Sequence, residues 1–144
     1  MANTNLKAER LSATEGAAYL DRLVDTLDQM VRGVAAPETL RALAGASIAA
    51  LRIQSLAFVH ISSADDAEMT RLEERMRALG EEVDRDLGTV RDSGQVSADQ
   101  LAVAIQAWSD YQRVLKDVLR LSRENTNVIS FDVSVHEKRQ VTKE

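Results

Sequence analysis

Met69, Leu72, Met76, Leu79, Val83, Leu87 and Val90 follow one another at intervals of 3, 4, 3, 4, 4 and 3 residues. That spacing gathers the apolar side chains of the segment onto one stripe of an α-helix. Between them acidic and basic residues alternate from Glu68 to Asp86, the pattern of a solvated helix face. Glu73-Glu74 and Glu81-Glu82 lie among Arg71, Arg75, Arg77 and Arg85, and read as salt-bridged surface residues rather than paired catalytic carboxylates. Such a stripe can be buried only against other helices, so the segment predicts a helical bundle.

The same periodicity extends in both directions, from about Ala8 to Leu121. Upstream, a first helix is expected from about Lys7 to Gly33, with a stripe of Ala13, Ala17, Leu20, Val24, Leu27, Val31 and Val34. Gly33 and Pro37 interrupt it. Pro37 either opens a new helix, where its missing N–H costs nothing, or kinks one long helix. The segment from Pro37 to Ile61 is apolar on two faces. One face carries Leu40, Ala44, Ser47, Leu51, Phe58 and Ile61, with Gln54 in register. The other carries Leu43, Ala46, Ala50, Ile53 and Ala57 and ends at His60. Its alanines permit close helix approach, so this second face is the expected dimer seam.

Downstream, Ser63 and Asp66 form a capping-box pattern that opens the third segment, from about Ala64 to Val90. Asp92-Ser93-Gly94 is a turn cluster. Ser97 and Gln100 form a better capping box, opening a fourth segment to about Arg123 with Leu101, Ala104, Ile105, Trp108, Gln112, Leu115, Val118, Leu119 and Ser122 in register. Asn125-Thr126-Asn127 is rich in capping residues and is expected to form a corner. Val128 to His136 alternates with period two, a strand signal, but a lone strand would lack a partner. A short helix carrying Val128, Phe131 and Val135 is the preferred reading. The expected fold is all-α: one domain over residues 1–144, an antiparallel up-down four-helix bundle whose first helix is long or kinked near Pro37.

Composition narrows the function classes. The 144 residues are 44% hydrophobic and only 3% aromatic, so the core must be aliphatic. The net charge of −5 comes without a basic block for nucleic acid. Cysteine is absent, no run of apolar residues approaches the roughly 20 needed to span a bilayer, and no signal peptide is visible. Nucleophile-elbow, phosphate-loop and dinucleotide motifs are lacking. His60 and His136 are far apart, and neither has a Glu three residues before it, so His60 with Asp65 and Asp66 is a poor metal set. Neither enzyme activity, metal nor cofactor is expected.

Four residues invite a binding role. Arg52 sits on the two-faced segment, where it either holds a carboxylate or snorkels over apolar surface, and Arg41 is a weaker case of the same kind. Trp108 and Tyr111 share one helix side as a core anchor or as the wall of a ligand pocket.

Ala107-Trp108-Ser109-Asp110-Tyr111-Gln112-Arg113-Val114, followed by Val118-Leu119-Arg120-Leu121-Ser122-Arg123-Glu124-Asn125, resembles the third helix and following corner of the four-helix-bundle sensor domain of methyl-accepting chemotaxis receptors. Pro37 to Leu43 and Leu51-Arg52-Ile53 resemble that family's first helix, and Asp65-Asp66-Ala67-Glu68-Met69 its first corner. The resemblance implies a periplasmic ligand-sensing domain of a bacterial chemoreceptor, excised from a longer transmembrane protein. It would be a homodimer, contact the membrane only through flanking segments, and bind no nucleic acid. A small molecule, such as a carboxylate, would bind near the end formed by the two-faced segment and the last helix. On this chain that implies Arg52, Ser55, Trp108, Tyr111, Thr126, Asn127 and Ser130 as ligand-binding residues. The last helix would be displaced to signal across the membrane. A helical protein-interaction module without a small-molecule ligand is the alternative.

Overall fold

The computed structural model describes the backbone of residues 4–143 and the side chains of residues 4–125. Within that range it is an all-α bundle of four helices. Helix α1 consists of Thr4–Leu11, a π-helical turn at Ser12–Gly16, and Ala17–Val31. Then come α2 (Pro37–Ser62), α3 (Asp66–Ser93) and α4 (Ala98–Lys143).

The connections are short and each has a local cause. Pro37 stands in the first turn of α2, after an extended Ala36, so the first of its two expected roles is the observed one. The cap of α3 is Asp65, whose carboxylate accepts the Ala67 N–H at 2.9 Å. Ser63, the expected cap, instead accepts the Asp65 N–H and donates to Glu68. Gly94 ends α3 in the left-handed region at φ 66°, which a glycine adopts without a Cβ clash. Ser97 accepts the Gln100 N–H at 3.0 Å, as its capping box predicts.

Sequential neighbours run antiparallel, and the ring closes when α1 packs on α4, with Thr4 hydrogen-bonded to Asn125. Helices α2 and α4 are parallel across the diagonal, linked by Tyr111 to Gln54 and Ser122 to His60. The stripe of α3 is inward as expected: Met69, Leu72, Met76, Val83, Leu87 and Val90 are buried and Leu79 packs against the core.

Three expectations are corrected. The Asn125-Thr126-Asn127 corner does not form, because α4 runs through it without a break for 46 residues, about 69 Å at 1.5 Å per residue. Capping residues act only where the backbone hydrogen-bond ladder ends, and here it does not end. Residues 128–136 are accordingly helical rather than a strand. The Ala-rich face of α2 is not a dimer seam. Ala46, Ala50, Ile53, Ala57 and His60 are all buried inside the bundle, and the face with Leu51 and Phe58 is the exposed one. On α1 the buried set is Ala8, Ser12, Gly16, Leu20, Leu23, Thr26, Leu27 and Met30, whereas Ala13 and Val31 are exposed.

The π-helical turn explains part of that shift. It adds a residue to one turn and frees the Ser12 carbonyl, which accepts both the Ala17 N–H and the Gln54 side chain at 3.1 Å. Gln54 in turn accepts the Tyr111 hydroxyl at 2.6 Å. Tyr111 is almost fully buried, and burial pushes its phenol far above the usual range.

Candidate functional site

The seams of the bundle are unequal. Helices α2 and α3 share the most extensive contact, built on the alanines of α2, and Gly45 lies against the Asp86 carboxylate. Helices α3 and α4 barely touch, and between them a groove of about 370 Å³ opens. Ile53 of α2 forms its floor, with Met76, Trp108, Leu115 and Leu119 as apolar walls. Glu73, Arg77, Glu81 and Asp84 of α3 face Gln112 and Lys116 of α4 around them. The Trp108 indole N–H donates to Asp84 at 2.8 Å, and its ring stacks on Tyr111 with centroids 6.0 Å apart. Gly80 leaves the wall opposite the Trp108 ring without a side chain. An apolar body with charged rims of both signs suits a small amphipathic ligand.

One end of the groove is tied by a chain of polar groups across three helices. His60 on α2 has no exposed surface. Its Nε2–H donates to Glu73 at 2.7 Å, and its Nδ1 lies 2.8 Å from the Ser122 hydroxyl. Ser122 also reaches the His60 carbonyl at 3.1 Å. Arg123 donates to the same Glu73 carboxylate at 2.8 Å, and to Asp66 and Thr70 of α3. Burial pushes the Glu73 carboxyl up, but the hydrogen bonds from Arg123 and His60 outweigh it, so the group sits below the ordinary glutamate value. The order Ser122–His60–Glu73 copies the connectivity of a hydrolase relay. Ser122 is fully buried, however, and its oxygen has no open side from which to attack a substrate. The arrangement works as a tie, fastening α4 to α2 and α3.

Glu73 is salt-bridged, as expected, but its half-buried carboxylate is shared between a buried histidine of α2 and an arginine of α4 rather than held on the outer face of its own helix. Periodicity missed it. The signal in the sequence was His60 itself, which falls on the inner face of α2 and must find polar partners there.

The sequence-derived site residues are scattered. Trp108 lines the groove, whereas Tyr111 lies in the core behind it. Arg52 and Ser55 are exposed on the outward face of α2, away from the groove. The side chains of Thr126, Asn127 and Ser130 lie outside the described residues. Among the described residues no cluster of histidines and carboxylates suits a metal ion.

By length and composition α2 could cross a membrane, with a mean hydropathy of 1.6 over its most apolar window, although its inner face is packed within the bundle. The sequence shows no uninterrupted apolar run because Arg41, Ser47, Arg52, Gln54, Ser55 and His60 punctuate it. No family model matches this chain, no curated protein is significantly similar to it, and no solved structure matches it. The likeness to chemoreceptor sensor domains thus rests on the quoted residues and on a shared all-α bundle architecture.

Proposed function

We propose that this chain is the ligand-sensing bundle of a bacterial transmembrane signalling protein, of the chemoreceptor type that its sequence resembles. A small molecule enters the groove between α3 and α4, and α4 carries the response out of the bundle. The observation that supports this reading is the double role of Glu73. It lines the groove and also anchors Arg123 and His60, so an occupant that draws on its carboxylate loosens the tie on α4. The helix that is loosened is the one that continues past Asn125. Signalling then requires the ligand to favour one position of α4 over the other, not merely to bind.

The groove also refines the ligand class. Lys116 of α4 and Arg77 of α3 are the cations available to a carboxylate there, with Glu81 and Asp84 of α3 for an ammonium. A zwitterion with an apolar body satisfies both. In this reading the bundle is the periplasmic part of an inner-membrane receptor and catalyses no reaction.

Thermal unfolding against a panel of amino acids, organic acids and aromatic acids tests it. A ligand at 100 times its dissociation constant adds roughly 2.7 kcal/mol, a clear midpoint shift. The expected result is a selective shift that disappears in Lys116→Glu with helicity retained. A flat panel with folded protein would overturn the reading and favour the second one, a helical interaction module. That alternative draws support from the exposed Ile48, Leu51, Phe58 and Val59 on α2.

A further inference from the structure

The charges that line the α3–α4 groove are sorted along its length. Trp108 bonded to Asp84 at one end and Arg123 bonded to Glu73 at the other fix the register of the two antiparallel helices. Lys116, about two turns beyond Trp108, therefore comes level with Arg77 across the groove. Asp84 and Glu81 form an acidic pole, and Arg77 with Lys116 forms a basic one. Among the described residues Arg77, Glu81 and Lys116 make no ion pair, and Asp84 holds only the Trp108 indole. Glu73, beyond the basic pole, is already committed to His60 and Arg123.

The stretch between the poles is open and mostly apolar. Gly80 lies there, between Asp84 and Arg77, and leaves α3 without a side chain. Gly45 against Asp86 and His60 bonded to Glu73 set the register of α2 on α3, which puts Ile53 beneath Gly80 as the floor. Leu115 and the Trp108 ring close the α4 side, with Gln112 at the rim. Glu81 stands one turn of α3 from Arg77 and Asp84 two turns. At 1.5 Å per residue the acidic pole is thus about 6–10 Å from the basic one along the groove.

That separation discriminates between zwitterions. In an α-amino acid two bonds part the nitrogen from the carboxyl carbon, about 2.5 Å, too short to reach both poles. A chain of six bonds spans about 7 Å when extended and reaches both, while its methylenes cross Gly80 and Ile53. A peptide of similar span would lay amide groups on that apolar floor and leave them unpaired. We propose that the groove takes an ω-amino acid in extended form, its ammonium between Glu81 and Asp84 and its carboxylate between Arg77 and Lys116. Charge-assisted contacts at both ends supply the selectivity, and the methylenes removed from water supply the rest of the affinity. The inference rests on the sensing reading of the groove and narrows it from any amphipathic zwitterion to one of stated span. It also sets the ligand carboxylate one turn of α3 from Glu73, the anchor of the tie on α4.

6-Aminohexanoic acid and 2-aminohexanoic acid have the same atoms and charges and differ in the span between the charges, so calorimetric titration of the two isolates that span. Hexanoic acid and hexylamine each lack one charge, and glycylglycine keeps the charges apart on a polar body. 6-Aminohexanoic acid is expected to bind roughly tenfold or more tighter than any of the other four, the worth of one charge-assisted contact. Its lead over hexanoic acid should vanish in Glu81→Gln combined with Asp84→Asn, which keeps an acceptor for Trp108. Its lead over hexylamine should vanish in Arg77→Gln combined with Lys116→Gln. Gly80→Leu should abolish binding with helicity retained in circular dichroism. Binding of 2-aminohexanoic acid or glycylglycine at least as tight, leads that survive the variants, or unchanged binding to Gly80→Leu would each overturn the inference. If other small molecules stabilise the chain and 6-aminohexanoic acid does not, the span is overturned and the sensing reading stands; if no compound of any kind binds, both fall.

Discussion

The α2–α3 seam and the α3–α4 seam use the same helix in opposite ways. Toward α2, α3 meets alanines and Gly45, and the helices close until the Asp86 carboxylate rests against backbone. Toward α4 it presents long polar side chains and a gap that polar links span, from Trp108 to Asp84 and from Arg123 to Glu73, Asp66 and Thr70. Small side chains make a seam rigid because dispersion contacts vanish with any separation. Long polar ones leave a seam that can open, since water replaces the lost hydrogen bonds.

Enlarging a side chain in each seam gives the sharpest contrast. Ala49, buried one turn beyond Gly45 on the same flank of α2, has no room to grow. Ala49→Leu is expected to destabilise by about 1–3 kcal/mol in urea unfolding. At Gly80 an added Cβ meets only the Trp108 ring, at 3.8 Å, so Gly80→Ala is expected to stabilise by up to ~1 kcal/mol through helix propensity. Equal costs at the two sites would erase the distinction between the seams.

Cutting the tie comes next. Glu73→Ala removes the acceptor of both His60 and Arg123 and is expected to cost about 1–3 kcal/mol. Hydrogen exchange should accelerate along α4 near Ser122 more than along α2. Uniform acceleration would mean that Glu73 supports the whole bundle and not one helix.

The two seams also answer pH with opposite sign. The Glu73 carboxyl is lowered from its ordinary value of 4.5, so its contribution is complete above that value and is lost as pH falls through the lower folded-state value. Asp86 is raised from 3.8, chiefly by burial and then by Glu82. Its ionisation therefore opposes folding above its ordinary value, and acid relieves that cost. Acid unfolding of Asp86→Asn should lose the relief, and that of Glu73→Gln should lose the penalty. If both variants shift the acid limb in one direction, the assignment fails.

The smallest expected effect is Trp108→Phe, which gives up one hydrogen bond to the exposed Asp84 and should cost about 1 kcal/mol or less. A selective ligand shift that survives it unchanged would place the ligand away from the Trp108 wall.

Much of the bundle was legible in the sequence because its causes are local. The α3 stripe, the Ser97 cap and the Gly94 turn all follow from residue spacing and backbone chemistry, whereas Pro37 allowed either a helix start or a kink until the extended Ala36 before it decided for the start. Membership of the bundle was not legible in the same way. Which of the two α2 faces turns inward depends on what lies opposite, and α3 offers a flank that fits alanine. The continuity of α4 through Asn125 overrides three capping residues, and capping preference alone does not say whether a helix ends. The ties among His60, Glu73, Ser122 and Arg123 join positions far apart in the chain, so no spacing rule reveals them.

The closure of the ring has a consequence for biosynthesis. Thr4 and Asn125 are joined across 121 residues, so the apolar face of α1 meets α4 only after all of α2 and α3 and the first half of α4 have emerged from the ribosome. The α2–α3 hairpin, contiguous and densely packed, is free to form long before. Until α4 arrives, α1 has half its docking surface and is the segment most in need of shielding by a chaperone. Slowing translation after residue 93 should therefore prolong a protease-sensitive state in which α1 is cut and the hairpin is spared.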